Sequence, residues 1–353
     1  MAPLTVEQIL NELHSKRTTT LLDVRAPIEF HEGHIPGSIN EPILTDSERH
    51  EVGLTYKEQG QEAAVRLGHS LVLPDRHRRV ERWRHLWDRS APLTVTCWRG
   101  GLRSKTACEW LNEADVPTRR VEGGYKAMRQ ALLNRLEKPF QLWVVGGWTG
   151  TGKTRLLNEF GPVAVDLEGL AKHRGSAIGW QLFEKQPTQA NFENAILLAT
   201  WDLNKTYLVE DESSKMGSVL LPIQLKTHIR QSPVVFLTAP MEKRVQDLFG
   251  EYVLEPLAKG YSYEKLGHHY IDHLAPTRRR LGGRRFQDLM ELVRKAFEQA
   301  PSLDAHGPWI EFLLREHYDR TYGHAFHKLG RKILFEGDWE SARDYLKQAF
   351  PKR

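Results

Sequence analysis

Phe140-Gln141-Leu142-Trp143-Val144-Val145 runs into Gly147-Trp148-Thr149-Gly150-Thr151-Gly152-Lys153-Thr154, and this stretch decides the fold. An apolar run of strand length ends in Gly-x-x-x-x-Gly-Lys-Thr, and a helical pattern follows over 155–160. Strand, glycine loop and helix in that order predict a phosphate-binding loop at the carboxyl end of a parallel strand. Gly147, Gly150, Thr151 and Gly152 let backbone N–H groups turn inward on a diphosphate. Lys153 supplies charge to the terminal phosphate, and Thr154 is the ligand for Mg²⁺ if a metal takes part. Such a loop does not specify ATP. It specifies a compound that carries a diphosphate.

The surroundings read as a doubly wound unit. Strands are expected at 163–165, 207–209 and 234–237, with helical stretches such as 191–203 between them, and from Met241 to Arg353 the pattern is mostly helical. Acidic residues close two of these strands. Asp166, Glu210 and Asp211 are therefore candidates for the metal side of the loop or for substrate.

A second αβ pattern lies upstream. A short amphipathic helix is expected over 4–13, strands over 20–25 and 93–96, and helices over 104–114 and 129–139. Alternating strands and helices predict a parallel sheet, so the fold class is α/β with two parallel-sheet domains. The spacing divides the chain into 1–137 and 138–353, the second with a helical, basic C-terminal region.

Cys97 follows the strand 93–96 at once and heads Cys97-Trp98-Arg99-Gly100-Gly101-Leu102-Arg103-Ser104. A cysteine is a nucleophile only as thiolate, with a free pKa of about 8.5. Gly100 and Gly101 allow the backbone to curl into an anion nest, Arg99 and Arg103 add charge, and the helix that starts near Ser104 adds its positive end. The same cradle suits a tetrahedral oxyanion beside the sulfur. Cys108, on an apolar helix face, reads as packing.

The chain has 353 residues, enough for two cores, and two cysteines, too few for a disulfide framework. No apolar run is long enough to span a membrane, and residues 1–17 carry no apolar signal core, so a cytoplasmic location is expected. Net charge is +5, and the cations cluster. Arg278, Arg279, Arg280, Arg284 and Arg285 crowd one stretch, and Arg76, Arg78, Arg79, Arg82 and Arg84 another. Basic clusters attract polyanions, which makes the first group a candidate nucleic-acid-binding surface. Trp309, Tyr318, Tyr322, Phe326, Lys328 and Arg331 interleave aromatic and basic side chains, a pattern that suits stacked bases, whereas Phe312 and Leu313 read as core.

Asp23-Val24-Arg25, Glu29-Phe30, Gly33-His34-Ile35-Pro36-Gly37-Ser38-Ile39-Asn40 and Glu122-Gly123-Gly124-Tyr125 resemble the rhodanese family. That family carries a persulfide on its cysteine. The five residues between Cys97 and Arg103 also fit the cysteine phosphatases. The rhodanese pattern ahead of a P-loop, with Trp98 and the double glycine, is similar to the tRNA 2-selenouridine synthase family. Asp166-Leu167-Glu168-Gly169, His173-Arg174-Gly175-Ser176 and Glu210-Asp211-Glu212-Ser213 add to that likeness. The resemblance implies a transferase that replaces the sulfur of wobble 2-thiouridine in the tRNA anticodon loop with selenium. It implies selenophosphate and geranyl diphosphate as co-substrates, an S-geranyl intermediate, a selenenyl sulfide on Cys97 and a partner enzyme that supplies selenophosphate. The alternative is an ATP-dependent tRNA sulfurtransferase that works through a Cys97 persulfide.

Overall fold

Leu93-Thr94-Val95-Thr96 is buried throughout and carries three β-branched residues, the composition of a strand covered on both faces. In the computed structural model, which describes residues 3–15, 19–174, 185–321 and 330–351, it is a central strand. With β1 (Leu21–Asp23), β2 (Ser38–Asn40) and β4 (Thr118–Arg120), this strand, β3, forms a four-stranded parallel sheet of order β2-β1-β3-β4. Around it lie α1 (Val6–His14), α2 (Pro27–Glu32), α3 (Asp46–Gln59), α4 (Gln61–Val72), α5 (Arg76–His85), α6 (Leu102–Glu113) and α7 (Gly124–Asn134). Trp83, Leu93, Val95, Ala107 and Leu111 fill the core between sheet and helices.

The second sheet is five-stranded and parallel, of order β11-β10-β5-β7-β6. It comprises β5 (Gln141–Gly147), β6 (Ala164–Val165), β7 (Thr206–Glu210), β10 (Val234–Leu237) and β11 (Ile333–Gly337), while β8 (Lys215–Met216) and β9 (Val219–Leu220) make a separate antiparallel pair. Helices α8 (Lys153–Asn158), α9 (Leu167–Ala171) and α11 (Ile223–Gln231) connect or cover these strands. Beyond β10, the helices Met241–Phe249, Tyr263–His273, Gly283–Phe297 and Leu303–Leu313 enclose a core around Val253, Leu266, Leu289 and Trp309.

Three expectations are corrected. The chain divides into Met1–Pro139 with Pro187–Leu203, and Phe140–Gln186 with Asn204–Arg353. The helix expected over 191–203 was assigned to the range 138–353, but as α10 (Gln189–Ala199) it packs with the first unit. There Asn194 Nδ2 donates to the His34 carbonyl at 2.7 Å and Thr188 Oγ1 to that of Glu32 at 2.9 Å. Polar anchoring of this kind leaves no mark in apolar periodicity. The region after Met241 is mostly helical, as expected, and within it β11 returns to pair with β10 before the last helix, Trp339–Ala349. The cluster from Arg76 to Arg84 is largely structural. Arg79 is 5 % exposed and reaches Glu48 at 3.2 Å, Arg82 reaches Glu41 at 2.9 Å, and Arg76 pairs with Glu113. Finally, Trp309 belongs to the helical core rather than to a surface. Gly175, Ser176, Tyr322, Phe326 and Lys328 lie outside the described residues. Among those described, no helix is long and apolar enough to cross a membrane.

Candidate functional site

Cys97 sits at the carboxyl end of β3, 3 % exposed. Its thiol donates to Ser104 Oγ at 3.2 Å, and Ser104 in turn donates to the Gly101 carbonyl at 3.1 Å, so the sulfur is tied to the first turn of α6. Gly100 takes φ +64°, whereas Gly101 is at φ −91° with open space where a Cβ would stand. The turn is therefore made at Gly100. A second glycine pair closes it from outside. Tyr125 N donates to the Cys97 carbonyl at 2.8 Å and Lys126 N to that of Trp98 at 2.9 Å. Gly124, at φ +60°, lies so close that any Cβ would collide with the Cys97 carbonyl oxygen and Gly100 N. Beneath the loop, the buried Arg25 grips Asp23 at 2.7–3.0 Å and lies 4.0 Å from the centre of the Tyr125 ring.

Arg103 faces Cys97 electrostatically, as expected, but shares its charge with an acid. Arg103 holds Glu29 through two bonds, at 2.5 and 3.1 Å, so much of its charge is already answered. Burial would raise the Glu29 carboxyl, but the bonds and charge of Arg103 outweigh it and hold the group below its ordinary value. Arg99 is exposed. Arg99, Leu102 and Arg103 also line a cavity of about 740 Å³ with Ile43, Val52 and Val65. Cys108 packs beside the first core as expected, and burial pushes its thiol up.

The phosphate loop lies at the carboxyl end of β5, beside β10. Gly147 stands at φ +142°, and a Cβ there would meet the Leu237 carbonyl oxygen at 2.5 Å. Lys153 Nζ is 3.2 and 3.3 Å from the carbonyls of Gly147 and Trp148, so it spans the loop it belongs to. Thr151 Oγ1 donates to the Trp148 carbonyl at 2.8 Å. Arg244, paired with Asp319, donates through Nε to the Thr149 carbonyl at 2.8 Å, and Trp339 Nε1 donates to that of Gly152 at 3.2 Å. Neither anchor was singled out in the sequence, because each comes from far along the chain.

Thr154 Oγ1 donates to Glu210 Oε2 at 2.9 Å and lies 3.3 Å from Glu168 Oε2. Glu168, Glu210 and Glu212 bring carboxylate oxygens within 4.8 Å of one another. Burial first, then Glu168, pushes both Glu210 and Glu212 well above the ordinary value. Of the three predicted acids, Glu210 belongs to this group. Asp166 caps α9, accepting from Gly169 N at 2.7 Å, and also hydrogen-bonds the Glu210 carboxyl, whereas Asp211 accepts from Arg331 Nη2 at 2.8 Å. A cap followed two residues later by a glutamate was the available sequence signal for Glu168.

The loop opens on a cavity of about 780 Å³, lined by Gly147, Gly150, Gly152, Lys153 and Thr154 on one side. Two π-helical turns, Gly250–Leu254 and Leu314–Tyr318, supply Glu251, Tyr252, His317 and Tyr318 to its wall. Such turns are common at functional sites. Of the predicted basic surface, Arg280 lines this cavity and Arg285 pairs with Glu316 at 3.2 Å. Arg278, Arg279 and Arg284 are exposed.

Comparison with known proteins matches residues 140–352 to the tRNA 2-selenouridine synthase AAA domain and residues 5–131 to the rhodanese-like domain. The chain is 40 % identical over 344 residues to the tRNA 2-selenouridine synthase of Hahella chejuensis, covering 92 % of this chain and 90 % of that protein. It is 39 % identical over 345 residues to the one from Hydrogenovibrio crunogenus, covering 93 % and 95 %. For the one from Salmonella typhi, identity is 37 % over 349 residues, covering 93 % and 95 %.

Proposed function

The chain belongs to the tRNA 2-selenouridine synthase family, and on that premise we propose that it converts wobble 2-thiouridine of tRNA to 2-selenouridine in two steps, one served by each loop. One observation carries the proposal: a single chain holds both a thiol cradle closed by a glycine turn and a phosphate loop with its lysine, threonine and carboxylates in place.

In the first step the thiouridine sulfur attacks C1 of geranyl diphosphate. The C1–O bond breaks, the diphosphate leaves with the bonding pair, and N3 gives up its proton to solvent. The glycine loop and Lys153 receive the departing diphosphate, where fixed donors act on developing charge. Thr154, Glu168, Glu210 and Glu212 form an all-oxygen donor set that suits Mg²⁺. When bound, that ion would neutralise charge on the leaving group. Alkylation turns a poor leaving group at C2 into a thiol.

In the second step selenium displaces geranyl thiol from C2. Selenium in selenophosphate is already at the selenide level, so a selenenyl sulfide on Cys97 would need an added oxidant. Attack of Cys97 Sγ on phosphorus balances without one. The S–P bond forms, the P–Se bond breaks, and hydrogen selenide leaves with the pair that then bonds C2. Water later releases phosphate from the sulfur. The five-residue spacing from Cys97 to Arg103 suits such an attack, and the apolar cavity beside the cradle has room for the prenyl chain. An enzyme that supplies selenophosphate is the reaction partner.

The test is mass spectrometry of nucleosides from thiolated tRNA incubated with the protein. Geranyl diphosphate alone should give S-geranyl-2-thiouridine, and added selenophosphate should give 2-selenouridine. Product formed only with ATP and a sulfur donor would establish the sulfurtransferase instead.

A further inference from the structure

Arg331 has no role in the two steps, yet it is the guanidinium that leaves two buried nitrogens, Nε and Nη1, without a hydrogen-bond partner among the described residues. Its side chain is 3 % exposed, and only Nη2 is engaged, with Asp211. A buried donor left unmet costs about 1–3 kcal/mol, and more when charged. Such a group calls for a partner, and an anion or an ordered water can supply it. Arg331 lines the phosphate-loop cavity, in company with Lys215, Lys226 and Arg230. Asp211 answers one of these four charges. Glu210 and Glu212 turn their carboxylates toward Glu168. Lys226 bonds Ser214 Oγ, and Ser213 and Ser214 add hydroxyls to the same wall.

We infer that this part of the cavity is a second phosphoryl-anion subsite, separate from the diphosphate cradle, with Arg331 as its buried donor and Lys226 and Arg230 as flanking charges. The chemistry it recognises is a phosphate oxyanion. Resting on the proposed reaction, the source is a backbone phosphate of the tRNA. Full-length Arg331→Met and Lys226→Met proteins should each lower tRNA affinity about tenfold and reduce the slope of log affinity against log salt by about one. KM for selenophosphate, which reacts at Cys97, and KM for geranyl diphosphate should stay within about twofold.

A readout independent of the reaction uses inorganic phosphate. In the Lys153→Ala protein, phosphate should still raise Tm, and adding Lys226→Met should abolish that rise. This arm stands even where the reaction itself proves to be different, and Lys226→Met serves if Arg331→Met does not fold. Unchanged tRNA binding and an unchanged phosphate-induced Tm shift in the folded variants would overturn the subsite.

Discussion

The ion pair with Glu29 places an anion on the guanidinium of Arg103, which faces Cys97. Arg103 is the guanidinium nearest in sequence logic to Cys97, but both of its terminal nitrogens are spent on a carboxylate. Thiol reactivity follows the local positive charge. Glu29→Gln keeps an acceptor for Ala26 N, which Glu29 Oε2 now receives at 3.1 Å, and removes the anion. We expect alkylation of Cys97 at neutral pH to become several-fold faster in that variant, measured by iodoacetamide trapping in protein that also carries Cys108→Ala. A rate equal to that of the Cys108→Ala parent would mean that Arg103 does not act on the sulfur. This residue-level arrangement was only half readable. Cysteine, glycines and arginines announced an anion cradle, whereas the acid that answers Arg103 stands 74 positions away and was quoted only as part of a family signature.

At the scale of elements, two loops depend on glycines that are fixed by neighbours rather than by their own turns. The start of α7 lies on the Cys97 loop, and Gly124 has both a positive φ and no room for a Cβ. Gly124→Ala should cost about 3 kcal/mol through backbone strain and a displaced carbonyl, read as a lowered urea midpoint. A midpoint unchanged from wild type would mean that the loop yields freely. Strand ends placed the phosphate loop and Glu210 correctly from sequence, because an apolar run followed by Gly-x-x-x-x-Gly-Lys-Thr has few other solutions. Sequence could not tell that Glu168 and Glu212 join Glu210. Asp166 caps a helix while bonding Glu210, and Asp211 partners Arg331, choices that depend on packing.

The carboxylate group also gives a pH-dependent prediction. Glu210 and Glu212 ionise near 4.5 when unfolded and at higher pH when folded. The folded chain therefore binds the extra protons, and stability falls as pH rises past 4.5 and through the folded values. A divalent cation binds the ionised form and relieves that penalty. Mg²⁺ should stabilise the protein more at about pH 8 than at about pH 5.5, approaching 2.7 kcal/mol at a hundredfold excess over Kd. Glu210→Gln should remove the effect. A Mg²⁺ shift that is equal at both pH values, or that survives the substitution, would place the ion elsewhere.

At the scale of the whole molecule, the chain carries two α/β units, one with a cysteine loop and one with a Gly-x-x-x-x-Gly-Lys-Thr loop. The two-sheet architecture was legible because each sheet advertises itself through a strand ending in a glycine-rich loop. The exchange of 187–203 to the first unit and the return of β11 to the second were not, since both depend on contacts between segments far apart in sequence. If the two steps are chemically distinct, each can be removed without the other. Lys153→Ala should slow geranylation at least tenfold, yet leave selenium transfer to a pre-formed S-geranyl tRNA within about twofold.

The most direct measurement is nucleoside mass spectrometry on the Cys97→Ser protein supplied with thiolated tRNA, geranyl diphosphate and selenophosphate. The account predicts that S-geranyl-2-thiouridine accumulates and that 2-selenouridine is absent. Formation of 2-selenouridine at the wild-type rate, or loss of both products in a folded protein, would contradict it.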